Sequence, residues 1–363
     1  MKYFLKLTII TLLFFIFFDL LAGNYLYKKF IRSNFFDQDT SFGSKDPTFD
    51  HGFVKSYKTE NAGWGNRRYT FCSDPNGFRS DCKSQFVENK KFDLAFIGDS
   101  FAESVGINFE ESFVGLISLN LEELKIANLA ASSYSPAIYF SKVNYLLEKG
   151  YHFNELIVFL DLSDIQDDAV CYKVEGKIVK RKKENFNCFE KDSVFSEKIK
   201  KRMRLSFEFY YLLKNILIKN NIIKYNPPEK VIDNSRVRWT YDYRKEDFDN
   251  LSIKASTKIS IQNMEKLSKI LKEKNISLSL AVYPWPGTLR YDIENNKQVE
   301  IWKTFCNFNC KNFYNLMKPF YELSRENSFT WIYQHAYIKD DVHFNEEGNR
   351  IIAKNFLKLY KLK

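Results

Sequence analysis

Histidine is scarce in this chain: only four occur in 363 residues, at His51, His152, His335 and His343. Any chemistry that needs an imidazole must use one of them. Glycine (13) and proline (8) are also few, while phenylalanine (35) and tyrosine (22) are abundant. That balance excludes wholesale disorder, because the chain carries ample apolar surface to bury. No Cys-x-x-Cys occurs, and no histidine stands at ligand spacing to a cysteine pair, which argues against a structural zinc site. There is no internal repeat, no low-complexity tract and no nucleic-acid reader motif. Only one long apolar run exists, at the N-terminus.

That run is informative. Met1 to Lys6 form a short basic lead, and Leu7 to Phe18 are apolar apart from two threonines. Leu20 to Ala22 continue the run past Asp19. A basic lead followed by an apolar stretch is an export signal. Cleavage signals around Ala22 are weak, and a lipobox would need cysteine where Asn24 stands. The pattern favours an uncleaved signal anchor, with the body of the chain outside the cytoplasm (periplasmic in a Gram-negative cell). Six cysteines fit an oxidising space. They fall into local pairs, Cys72 with Cys82, Cys171 with Cys188 and Cys306 with Cys310, although sequence alone does not fix their connectivity. The formal charge of +10 is weak evidence for an acidic partner, since heavy use of Lys, Asn, Ile and Phe reflects coding bias. A nucleic-acid partner is not expected.

Three regions follow the anchor at 1–32. Residues 33–90 read as an extracytoplasmic lead-in segment, dominated by turn formers such as Ser73-Asp74-Pro75-Asn76-Gly77, with a short strand over Arg68–Cys72. Residues 91–363 alternate strand and helix. Expected strands are Phe92–Ile97, Lys125–Leu129, Leu156–Leu160, Ile276–Tyr283 and Lys311–Leu316. Expected helices are 110–124, Pro136–Leu147, Ser256–Lys274 and a last one begun by Asn345. The alternation predicts an α/β domain of three layers, α/β/α, around a central parallel sheet. A basic and aromatic insertion interrupts it at about 165–255. It includes Lys177, Lys180, Arg181, Lys182, Lys183, Lys198, Lys200, Lys201, Arg202 and Arg204. A solvated lysine-rich surface accounts for these charges, and contact with anionic lipid or glycan is the sharper alternative.

Ligands of open α/β sheets bind at the carboxyl ends of the strands. Ser100 stands there, directly after the first core strand, in Gly98-Asp99-Ser100-Phe101. A serine hydroxyl needs a base to become a nucleophile. His343 is the histidine with carboxylates close by in sequence, in Asp340-Asp341-Val342-His343, within a loop before the last helix. One aspartate there can fix its tautomer. His51, in Phe49-Asp50-His51-Gly52, reads as a turn residue. Trp285, between Pro284 and Pro286 after a core strand, either lines a pocket or packs in the core.

Together these residues resemble the SGNH/GDSL hydrolase family. Gly98-Asp99-Ser100-Phe101 is similar to its first block, and Asp340-Asp341-Val342-His343 to its last. The resemblance implies a flavodoxin-like fold with Ser100 as nucleophile, His343 as base and Asp340 as orienting acid, with Asp341 as the alternative. Asn128-Leu129-Ala130-Ala131-Ser132-Ser133-Tyr134 is similar to the second block, where Ser133 replaces a glycine whose N–H binds the oxyanion. Asp161-Leu162-Ser163-Asp164 is similar to the third, where Ser163 replaces an asparagine donor. The resemblance implies no cofactor and no metal. It implies an ester substrate such as O-acyl groups on envelope or secreted polysaccharide, cleaved by hydrolysis or passed on by transfer. A membrane acyl-donor partner protein would suit the transferase case. The alternatives are a catalytically weak glycan-binding or assembly subunit, and a lipid esterase or thioesterase.

Overall fold

The computed structural model describes residues 2–27, 29, 38–65, 67–82, 88–182, 202–242, 247–248, 250–291 and 296–361. The chain divides into two compact units, one of residues 39–184 and 227–363, the other of residues 1–38 and 185–226. The lead-in segment therefore belongs with the α/β core from Asp39 onward. The expected insertion at 165–255 is split between the two units. Its residues 183–201, with Cys188, Lys183, Lys198, Lys200 and Lys201, lie outside the described residues.

The larger unit is built on five parallel strands: β5 (Lys91–Gly98), β6 (Ile126–Asn128), β7 (His152–Leu160), β12 (Ser277–Val282) and β13 (Asn312–Asn315). Their order across the sheet is β13-β12-β7-β5-β6. Read from β6, that is the flavodoxin-like order expected from the sequence. Leu156 to Leu160 of β7 are all fully buried, as a central parallel strand covered on both faces should be. Helices Phe113–Asn120 and Glu346–Lys361 pack together, and Phe356 of the latter meets Phe96 of β5 and Phe159 of β7. Helices Pro136–Glu148 and Ile253–Glu273 pack as a second pair. Asn345 caps the last helix as expected, its side chain accepting from the N–H groups of Glu347 and Gly348, both at 3.0 Å.

The chain leaves β5 towards β6 on one side, whereas β7 lies on the other side of β5 and leads on to β12. The sheet therefore switches direction between the carboxyl ends of β5 and β7, the place where open α/β sheets bind their ligands. Ser100 follows β5 and Asp161 follows β7.

Residues 39–80 form more than turns. β1 (Gly43–Asp46) pairs with β2 (Asp50–Phe53), and β3 (Lys58–Trp64) pairs with β4 (Arg67–Cys72), both antiparallel. Ala62, Tyr69 and Phe71 make a small core of their own, against which Phe42, Phe53, Tyr57 and Trp64 pack. Disulfides join Cys72 to Cys82 and Cys306 to Cys310. Cys171 is buried, and its expected partner Cys188 is outside the described residues. Two further hairpins, β8 (Tyr172–Glu175) with β9 (Ile178–Arg181) and β10 (Asp247–Phe248) with β11 (Leu251–Ser252), complete the strands among the described residues.

The smaller unit contains an apolar helical stretch, Leu5–Leu26, long enough to cross a membrane, and the helix Arg204–Lys219.

Candidate active site

Gly98 ends β5 where no side chain fits: a Cβ there would lie 2.7 Å from Ala102 Cβ and 2.8 Å from the Phe159 carbonyl oxygen. Asp99 then caps the short helix Ser100–Glu103, its carboxylate accepting from Phe101 N–H at 2.9 Å. Ser100 is the first residue of that helix, so its own N–H has no partner within the helix. The turn holds Ser100 partly exposed at the carboxyl end of β5.

His343 Nε2 lies 2.8 Å from Ser100 Oγ, although 243 residues separate the two in sequence. His343 Nδ1 lies 2.5 Å from Asp341 Oδ1. The structure thus places Asp341, and not Asp340, on the imidazole. The reason is local. A turn closed by Asp341 N–H donating to Ile338 O at 3.1 Å puts Asp340 at an exposed corner with φ of 61°. The Asp341 carboxylate folds forward to accept His343 N–H at 3.0 Å, an Asx turn that sets it beside the ring. Burial disfavours the charge on Asp341. Hydrogen bonds and charge from His343, with a further bond from Trp64, outweigh that and hold its pKa down at about 2.

The lead-in hairpins reach this site, which the sequence did not reveal. Trp64 Nε1 donates to Asp341 Oδ2 at 3.0 Å, and its ring meets His343 edge to face, with centroids 4.9 Å apart. Both oxygens of Asp341 are therefore engaged, one by His343 and one by Trp64. Phe101 packs against the His343 ring from another direction, with centroids 4.6 Å apart. His51 is not a simple turn residue either. Its Nε2 lies 2.7 Å from the Ser132 carbonyl oxygen and its Nδ1 lies 2.7 Å from Asp50 Oδ2. No signal in the sequence marked Trp64, because the pairing depends on β3 folding against the loop 277 residues later.

Ser133 has φ of 64°, a left-handed conformation that glycine adopts freely and other residues adopt at a cost. Ser133 thus holds a backbone conformation that a glycine would hold without strain. The loop around it is held firmly. Glu103 Oε2 accepts from both the N–H and the hydroxyl of Ser132, at 2.7 and 2.6 Å. Lys142 Nζ donates to the Leu129 carbonyl at 2.8 Å and to Tyr134 Oη at 3.1 Å. Burial lowers the pKa of that lysine to about 7.

Ser163 departs from expectation, and Trp285 follows the core-packing alternative, being buried. The Ser163 hydroxyl donates to Asp161 Oδ2, and Trp285 Nε1 donates to Asp161 Oδ1 at 2.5 Å. Both serve a fully buried carboxylate, which must be hydrogen-bonded to be tolerated there. Neither is directed to the nucleophile. Asp99, Asp161 and Asp164 bring carboxylate oxygens within 4.8 Å of one another behind Ser100. Ser100 Oγ is 3.2 Å from Asp99 Oδ2, and Tyr283 Oη donates to Asp99 Oδ1 at 3.2 Å. Burial, and then the neighbouring Asp161 carboxylate, push Asp99 well above its usual range, and Asp164 is raised for the same two reasons. Asp161 itself has donors on both carboxylate oxygens. Asp167 is paired instead with Arg236 at 2.5 Å.

By sequence, no family model and no curated protein matches the chain. Among solved structures, it is similar to a lipolytic G-D-S-L family protein from Veillonella parvula, at 9% identity and a TM-score of 0.40 over 74% of this chain and 98% of that one. It is also similar to a psychrotrophic esterase from a Pseudoalteromonas species, at 12% and 0.39 over 76% and 98%. A third similarity is to an acetylxylan esterase from Geobacillus stearothermophilus, at 13% and 0.38 over 76% and 95%.

Proposed function

We propose that the chain is a serine-dependent ester hydrolase or O-acyltransferase of the SGNH/GDSL kind, with Ser100, His343 and Asp341 as its triad. The observation that carries this reading is the unbroken relay from Ser100 Oγ through both nitrogens of His343 to Asp341. Ser100 Oγ attacks the ester carbonyl while His343 Nε2 takes its proton. The carbonyl π pair moves onto oxygen, and collapse of that oxyanion expels the alcohol, which takes the proton back from His343. Water or a sugar hydroxyl then attacks the acyl-serine in the same way and frees Ser100. Asp341 keeps the Nδ1 proton in place and stabilises the imidazolium. The oxyanion is bound by the N–H groups of Ser100 and Ser133. With the Ser163 hydroxyl given to Asp161, this site works with one donor fewer than an asparagine at that position would supply, a loss of ~3 kcal/mol at the transition state in enzymes generally.

The proposed substrate is an O-acyl group on envelope or secreted polysaccharide, met outside the cytoplasm. The apolar helical stretch Leu5–Leu26 and the two disulfides support that location. In the transferase case a membrane protein would supply the acyl group. The test is release of acetate from p-nitrophenyl acetate and from an acetylated glycan by wild type and Ser100→Ala. Loss of both activities in the variant is expected. Equal activity in the two proteins would leave the glycan-binding reading in its place.

A further inference from the structure

The helix Arg204–Lys219 buries none of its residues. Phe209, Tyr210, Leu212, Leu213 and Ile216 are each between 46% and 63% exposed. They do not lie at random. Leu205, Phe209, Leu212, Leu213 and Ile216 share one stripe by helical spacing, and Arg204, Glu208, Asn215 and Lys219 form a narrower polar stripe beside it. Arg204 and Glu208 form an ion pair at 3.4 Å along the polar stripe. Such a stripe in water would promote association, so it requires a cover.

The same compact unit indicates what covers it. Asp19 stands inside the apolar stretch Leu5–Leu26 and is fully buried. A carboxylate at that depth is costly unless paired. Its oxygens accept the N–H groups of Leu205 at 3.1 Å and Ser206 at 2.7 Å, two of the donors that a helix start leaves unsatisfied. Met203, at the capping position, offers no side-chain bond. Gly23 clears the way, since a Cβ there would overlap the Asp19 carboxylate. Arg204 stacks over the Tyr27 ring, 4.6 Å from its centroid. The start of the second helix is thereby fixed to the anchor through its second and third residues. Asp19 precedes Leu26 by seven residues, or about 10 Å of helix rise. In-plane amphipathic helices seat their apolar face about 5–10 Å below the headgroups.

We propose that Arg204–Lys219 is a second membrane-contacting element, an amphipathic helix lying in the lipid interface at a depth set by Asp19. The proposal rests on insertion of Leu5–Leu26 in the bilayer and is independent of the ester chemistry. Its occupant is the lipid surface itself, because the stripe begins at the anchor and is bordered by the polar stripe that ends in Lys219.

The test uses the full chain in vesicles of phosphatidylcholine with a minority of phosphatidylglycerol, with or without brominated acyl chains. Leu213→Trp and Asn215→Trp are compared with wild type by tryptophan fluorescence. Bromine is expected to quench the added signal of Leu213→Trp at least about twofold more than that of Asn215→Trp. Equal quenching of the two, or none, would overturn the proposal and point to a protein as the cover. Adding Asp19→Leu to Leu213→Trp keeps the anchor apolar and removes the tie, so quenching should fall; unchanged quenching would refute the role of Asp19. Alkaline extraction of the same vesicles reports the anchor separately. Release of the wild-type chain would overturn both readings, whereas retention without quenching would overturn this one alone.

Discussion

Replacing one of two adjacent aspartates should nearly abolish activity, and replacing the other should not. Asp341 lies 2.5 Å from His343 Nδ1, and its pKa is held at about 2 against an ordinary 3.8. A downward shift of that size corresponds to about 2 kcal/mol of preference for the charged carboxylate, part of it due to the imidazolium that forms when Ser100 gives up its proton. Asp341→Asn removes that charge, and the part of the preference that belongs to the imidazolium sets a cost of at most about thirtyfold in rate. It also allows an amide N–H to face Nδ1, moving the imidazole proton to Nε2, where it blocks acceptance from Ser100. Loss of the correct tautomer brings the expected fall in kcat/KM to about 10²–10⁴-fold. Asp340 occupies the exposed corner of the turn, so Asp340→Asn should stay within about threefold, as surface changes generally do. The assay is p-nitrophenyl acetate hydrolysis by both variants, with circular dichroism to confirm folding. Equal damage from the two, or an active Asp341→Asn, would refute the assignment.

Trp64→Phe keeps the ring beside His343 but removes the donor to Asp341 Oδ2. It should lower kcat by about five- to tenfold with little change in KM, consistent with loss of about 1 kcal/mol from a half-exposed charged hydrogen bond. Ser133→Gly should raise Tm by about 2 °C through relief of about 1 kcal/mol of left-handed strain. Ser133→Val should lower Tm, and the pair of thermal melts checks both signs. Asp341 and Asp50 are both held near a pKa of about 2, Asp50 against its burial by His51 and Arg181. Depressed carboxylates stabilise the fold above their unfolded pKa, and that contribution is lost as pH falls from about 4 through about 2. Urea unfolding across that window should show the loss, with a shallower slope in Asp341→Asn.

The parts of this molecule that were legible in sequence are those set by long-range burial. Leu156-Ile157-Val158-Phe159-Leu160 is apolar at every position because β7 is covered on both faces, and the flavodoxin-like order follows from β5 onward. Asn345 was legible as a cap because capping is chemistry of a few consecutive residues. What was hidden depends on backbone angles and distant contacts. Which aspartate meets His343 is decided by a left-handed corner at Asp340. β4 (Arg67–Cys72) was legible as a strand, but β1 to β3 were not: they are only four to seven residues long, and the β3–β4 register shifts between Thr59 and Ala62. Ser163 aligned by position with a donor to the oxyanion, but nothing in its neighbours showed that the buried carboxylate of Asp161 would claim its hydroxyl.

The most direct test of the site is covalent capture of its nucleophile. The folded chain is treated with diethyl p-nitrophenyl phosphate, which phosphorylates activated serines with loss of p-nitrophenol, and the adduct is located by peptide mass spectrometry. The triad predicts one diethylphosphoryl group per chain, on Ser100, none on Ser100→Ala, and slow labelling of His343→Ala. Failure to label Ser100 in an otherwise folded chain, or labelling that is equally fast without His343, would contradict activation of Ser100 through the contact at 2.8 Å.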